Sequence, residues 1–241
     1  MEARTSVIQS RLEQVKQIIC VASGKGGVGK SMVASNLAVS LSQKGLKVGL
    51  LDLDLYGPST HVILGVQPDS FPDEHHGIIP PVVHGINFMS VVYFTEDKPG
   101  AFRGDDISNI ILELLAITQW GSLDYLIVDL PPGIGDEILD VIHLLPQSKY
   151  IVVTIPSKVA LRAVEKLLRI LKELDVPLLG VIENMSFKKD SMVTAFCETE
   201  GAPYLGRLGF DESLEDAIGD PKKLQTSLFA EDMDVVVAKL G

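Results

Sequence analysis

Runs of consecutive apolar residues alternate along this chain with stretches in which apolar residues recur every three or four positions. The runs at 18–22, 48–52, 125–128, 150–155 and 178–182 read as strands, and a sixth falls at 203–205. They are continuous rather than alternating, the pattern of strands covered on both faces. Helical periods occupy 31–44, 106–118, 135–145, 158–174 and 212–218. Strand followed by helix, repeated along the chain, predicts an α/β fold with a mostly parallel sheet and helices on both faces. Between 66 and 100, the Pro and Gly spacing predicts loops around a short hairpin, 82–83 with 88–91. Residues 228–240 are amphipathic, but Glu231, Asp232 and Asp234 outnumber Lys239, so they read as a packing helix and not a membrane-surface one. No repeat, low-complexity tract or linker breaks the series. That predicts one domain over 1–241, with a polar N-terminal extension at 1–16.

Between the first strand and the first helix lies Gly24-Lys25-Gly26-Gly27-Val28-Gly29-Lys30-Ser31, within which G-x-x-x-x-G-K-[ST] is satisfied. Glycines let the backbone turn its N–H groups inward around phosphate oxygens, and the helix that follows adds its N-terminal partial charge. Lys30 is expected to neutralise the β- and γ-phosphates, and the Ser31 hydroxyl to ligate Mg²⁺. The fold is therefore expected to be a P-loop NTPase.

Two later strands end in acids. The second closes on Asp52, with Asp54 two residues on, so both carboxylates lie on one side of an extended segment at the ligand-binding end of the sheet. Asp54, nearer the loop, is expected to orient the attacking water. Asp52 is expected to support Mg²⁺ or the loop. The third strand ends on Asp129, the usual partner of a phosphate loop in holding Mg²⁺. Pro131 and Pro132 stiffen the following turn, and Gly133 leaves a bare N–H able to approach a γ-phosphate. Lys25 is not needed to cradle phosphate in its own subunit. It reads either as a cation reaching a second subunit's phosphates or as a solvated lysine.

The charge balance narrows the classes. With 32 acids against 21 bases the chain carries −11, the wrong sign for sequence-independent nucleic-acid binding. Arg162, Lys166, Arg169 and Lys172 share one predicted helix and read as a solvated face. Two cysteines make no disulfide framework, which predicts a reducing cytoplasm. No apolar run reaches the ~18 residues that cross a bilayer, and residues 1–17 lack the apolar centre of a signal peptide. Neither nucleic acid nor membrane is expected as a partner.

These motifs, with DYLIVDLPPGIGD at 124–136 and GVIENMS at 180–186, resemble the deviant phosphate-loop ATPases, and most closely the Mrp/ApbC family of iron–sulfur cluster carriers. The resemblance covers residues 15–221. It implies a homodimer sandwiching two ATP molecules, with Lys25 on the partner's nucleotide, Asp54 activating water and Gly133 sensing the γ-phosphate. It also implies that Gly24, Gly26, Gly27, Val28, Gly29, Lys30, Ser31 and Met32 bind the nucleotide, with Asn184 hydrogen-bonded to adenine. Three departures stand out. Met32 replaces the family's Thr, and Leu208-Gly209 replaces an Ile-Pro near the adenine. After Ser186 the family's C-x-x-C pair is missing, and residues 187–198 offer only Cys197 as an iron–sulfur ligand. Neighbouring His75 and His76 read as loop histidines. The expected function is ATP-driven iron–sulfur cluster assembly or transfer to apo-metalloprotein clients, as a homodimer or paired with a cysteine-bearing relative. Alternatives are a maturation ATPase for a metalloenzyme and a Min/Par-type spatial-organisation ATPase.

Overall fold

All five residues from Val48 to Asp52 are buried, and so are the last six of the strand that opens at Val15. Side chains alternate between the faces of a strand, so full burial requires cover on both sides of the sheet. A computed structural model, describing residues 3–68, 71–95, 104–187 and 192–240, shows this arrangement. Its strands are β1 (Val15–Ser23), β2 (Val48–Asp52), β3 (Val82–Val83), β4 (Ile86–Ser90), β5 (Leu123–Asp129), β6 (Lys149–Thr154), β7 (Leu178–Ser186) and β8 (Tyr204–Gly209). They lie in the order β3-β4-β2-β5-β1-β6-β7-β8, all neighbours parallel except β3 with β4.

The helices are α1 (Ala3–Leu12), α2 (Lys30–Gln43), α3 (Thr60–Ile63), α4 (Val92–Thr95), α5 (Gly104–Ile117), α6 (Asp136–Leu144), α7 (Lys158–Glu173), α8 (Met192–Glu200), α9 (Leu214–Ala217), α10 (Pro221–Gln225) and α11 (Leu228–Val237). The result is a single α/β domain of mostly parallel sheet, as expected. From β1 the chain goes to β2 and β5 on one side, then to β6, β7 and β8 on the other. The carboxyl end of β1 is thus a topological switch point, where open α/β sheets hold ligands.

Two segments differ from the sequence reading. The polar N-terminal extension at 1–16 forms, in its described part, helix α1 and the start of β1. Ile8 and Leu12, one turn apart on α1, are buried, and α1 packs on α5. Arg11 ties it down by donating to the carbonyls of Ala116, at 3.1 Å, and His76. Residues 1–2 lie outside the described residues. Most of the segment 187–198, where the resemblance implied a cysteine pair, is helical: Val193 and Cys197, again one turn apart, bury one side of α8. Its residues 188–191 lie outside the described residues, as do 69–70 and 96–100 of the loop region. The C-terminal pattern does form a packing helix. Phe229, Met233 and Val236 of α11 are buried, and the helix lies on β8 and α2.

Candidate functional site

The phosphate loop leaves β1 at its carboxyl end and runs into α2. Gly27 and Gly29 have φ of 76° and 78°, the left-handed region that glycine enters without strain. The loop lies directly on α7: a Cβ at Gly24 would sit 2.6 Å from the carbonyl carbon of Ala163. The Ser23 hydroxyl donates to the Lys25 carbonyl at 3.0 Å, bracing the first turn. Inside the loop is a cavity of about 430 Å³, lined by residues 23 and 25–32 together with Asp54, Pro132 and their neighbours. Lys25 is half-buried on the wall of its own chain's cavity.

Charge is concentrated at the floor. Lys30 is 5% exposed; its Nζ lies 2.6 Å from Asp129 Oδ1 and 3.8 Å from Asp54 Oδ2. It also donates to the Ser31 hydroxyl at 3.3 Å. Asp129 is fully buried, and its other oxygen, Oδ2, has no hydrogen-bond partner. A buried, unpaired oxygen on a carboxylate that shares Lys30 with the Ser31 hydroxyl, at the end of a phosphate loop, fits a hard divalent cation such as Mg²⁺.

Asp52 does different work. Its Oδ1 accepts from the Asp54 N–H at 3.0 Å, and its Oδ2 from the Thr60 hydroxyl at 2.6 Å and the Thr60 N–H at 3.4 Å. Both oxygens are therefore occupied in holding the segment that presents Asp54. Of the two expected roles, the geometry favours loop support over direct metal contact. Burial, and then the charge of Asp129, push the Asp52 carboxyl up to about 7. Asp54 lines the cavity, and its Oδ1 accepts from the Gly57 N–H at 3.2 Å. Burial raises its pKa, while Lys30 pulls it down.

Gly133 departs from expectation. Its N–H donates to the Ser23 carbonyl at 3.0 Å, so the donor is spent on β1 and not aimed into the cavity; Pro132 takes the lining position. Contact with a γ-phosphate would require that bond to break.

A second cavity of about 290 Å³ joins the first at Gly29, Met32 and Ile218. Asn184, 3% exposed at the end of β7, lines it and donates from Nδ2 to the Val28 carbonyl at 2.9 Å. The amide touches the loop so closely that a Cβ at Gly29 would collide with Asn184 Nδ2. With one Nδ2 proton committed to the loop, the other Nδ2 proton and the Asn184 carbonyl oxygen are left for a ligand. Gly209, from the Leu208-Gly209 departure, also lines this cavity. Phe210 beside it was not anticipated. Its only sequence signal is an apolar aromatic following a glycine at a strand exit.

Cys197 does not stand where a shared cluster could reach it. The residue is 1% exposed, and burial, with the charge of Glu183 adding, pushes its thiol up to about 11. Cys20 is completely buried, and burial pushes it up to about 12. Cluster ligation needs accessible thiolates, and neither cysteine supplies one. No group of three or more His, Cys, Asp and Glu suited to a metal ion occurs among the described residues. Native protein at pH 8 is expected to leave both thiols unmodified by an aromatic disulfide reagent over minutes, and to react at both once unfolded. Rapid native labelling that Cys197→Ser abolishes would restore Cys197 as a ligand.

Residues 14–235 match the family described as ParA: NUBPL iron-transfer P-loop NTPase. An iron–sulfur cluster carrier protein of Aquifex aeolicus is 44% identical over 182 residues, covering 74% of this chain and 50% of the relative. Another, of Pyrococcus abyssi, is 36% identical over 241 residues, covering 88% of this chain and 80% of the relative. The chain thus spans about half the length of the Aquifex relative. A nucleotide-binding protein of Archaeoglobus fulgidus, solved in complex with ADP, superposes with a TM-score of 0.78 at 28% identity, over 92% of each chain. The septum site-determining protein MinD of Pyrococcus horikoshii shares the fold, with a TM-score of 0.70 at 23% identity over 93% of this chain and 95% of its own.

Proposed function

The chain belongs to the family of NUBPL-type iron-transfer P-loop NTPases, and from that premise we propose that it binds ATP with Mg²⁺, hydrolyses it as a dimer and uses the cycle in iron–sulfur cluster assembly or transfer. The observation that carries the reading is the buried Lys30–Asp129 pair at 2.6 Å, with Asp129 Oδ2 left without a partner beneath a glycine-lined cavity. That pair holds a phosphate-binding cation and a metal-binding carboxylate against each other. Incoming phosphates draw Lys30 away from Asp129, which frees Asp129 and Ser31 to hold the metal. Bound there, Mg²⁺ would neutralise charge on the β- and γ-oxygens. Asp54 orients the attacking water, the Asn184 carbonyl oxygen accepts from the adenine amine, and Lys25 crosses to the partner's nucleotide.

The cluster is cargo. With Cys20 and Cys197 both buried, the reading favours a dimer in which a cysteine-bearing relative supplies the thiolates, this chain supplying nucleotide control and apo-metalloproteins receiving the cluster. Free, unpaired cysteines suit a reducing cytoplasm, and no helix among the described residues is long and apolar enough to cross a membrane. The test pairs phosphate release, with and without Mg²⁺, with anaerobic iron and sulfide loading of this chain alone. Mg²⁺-dependent release of phosphate from ATP without a bound cluster is expected. No hydrolysis under any condition would sink the ATPase reading; a stable cluster on this chain alone would sink the divided dimer.

A further inference from the structure

We infer that Phe210, with Phe187 stacked behind it, is the platform on which the base of the bound nucleotide lies. The inference rests on the nucleotide reading above and adds a residue to it. Phe210 and Phe187 are 47% and 74% exposed, yet their rings stack with centroids 4.6 Å apart and planes at 28°. They stand at the carboxyl ends of β8 and β7, and Phe210 lines the second cavity.

An exposed aromatic on a loose loop would mean little, but the backbone around Phe210 is pinned. Its own N–H donates to the Ser186 carbonyl at 3.1 Å, tying the two strand exits together. The preceding Gly209 N–H donates to Asp232 Oδ2 at 2.7 Å. The following Asp211 accepts from the Ser213 hydroxyl at 2.6 Å and its N–H at 3.0 Å. The backbone that carries the ring is fixed before any ligand arrives, which lowers the ordering cost of binding.

Five other lining residues, Met32, Met185, Leu214, Ile218 and Phe229, are apolar, and the cavity borders the phosphate cradle, sharing Gly29, Met32 and Ile218 with it. A nucleotide with its phosphates in the loop therefore has its base in this second space. Every base has a π-face, so stacking on Phe210 is indifferent to which base is present. Discrimination falls to the Asn184 carbonyl oxygen, which accepts from the exocyclic amine of adenine and opposes the oxygen that replaces it in hypoxanthine.

Calorimetric titration of the full chain with ADP, ATP and IDP tests this division. Phe210→Ala is expected to weaken ADP and IDP by the same factor, about tenfold, and to leave the ADP-to-ATP affinity ratio unchanged. Phe210→Trp, which keeps a π-face, is expected to hold wild-type affinity, and Phe187→Ala to lose less than Phe210→Ala. An ADP affinity within twofold of wild type for Phe210→Ala would overturn the inference while leaving the nucleotide reading intact. So would a changed ADP-to-ATP ratio, which would mean that the substitution had disturbed the phosphate loop. Wild-type protein that binds none of the three nucleotides would instead overturn the nucleotide reading.

Discussion

Lys30→Ala is expected to abolish measurable nucleotide binding, with a loss of at least about 100-fold by calorimetry. A charge-assisted hydrogen bond alone contributes about 1.5–3 kcal/mol, but more is lost here than one bond. Lys30 stands 2.6 Å from Asp129 and 3.8 Å from Asp54, so without it both carboxylates are left uncompensated against an incoming polyanion. The same change strands Asp129, fully buried, without its counter-charge. Breaking a buried pair on one side costs about 3–5 kcal/mol of stability, so a lowered unfolding midpoint is expected as well. The double variant Lys30→Ala/Asp129→Asn separates the two effects: it should regain most of the midpoint and none of the binding. Binding retained by folded Lys30→Ala protein would show that the loop glycines and α2 suffice, and would remove Lys30 from the site.

How much of this could be read beforehand depended on whether the signal was local. The phosphate loop was legible because its glycines, lysine and serine are fixed by backbone geometry within one turn, and the structure puts Gly27 and Gly29 in the left-handed region. The buried strands were legible because β2 and β5 carry apolar side chains on both faces, and the short hairpin of β3 and β4 because glycine and proline bound it. Asp54 and Asp129 followed from strand ends. By contrast, α1 hides two buried residues, Ile8 and Leu12, in an otherwise polar stretch, and only α5 makes their burial worthwhile. The burial of Cys197 is equally non-local, since Val193 and Cys197 become an inner face only once α8 has formed and packed beside α7. The commitment of the Gly133 N–H to Ser23, and the stack of Phe187 on Phe210, join strand exits far apart in sequence. No window of contiguous residues contains either.

Asp54→Asn is the complementary prediction: ATP affinity within about threefold of wild type, and hydrolysis slowed by about 10²–10³-fold, within the range for a lost general base. The separation follows from position. Asp54 lies at the cavity wall, 9% exposed and 3.8 Å from Lys30, so it adds little to holding phosphates. Its Oδ1 is steadied by the Gly57 N–H, and Asp52 and Thr60 fix the segment behind it, leaving Oδ2 toward Lys30 and the cavity. Burial raises its pKa, which brings a carboxylate closer to the strength that a base needs at neutral pH. The deprotonated form is the active one, so kcat/KM should fall as pH is lowered through that raised value, above the ordinary carboxylate figure of about 3.9. In Asp54→Asn the acid limb should vanish along with the rate. Asn keeps the shape and the contact to Gly57, so a slow enzyme with an unshifted limb would place the titrating group elsewhere, and wild-type turnover would free Asp54 of any part in the chemistry.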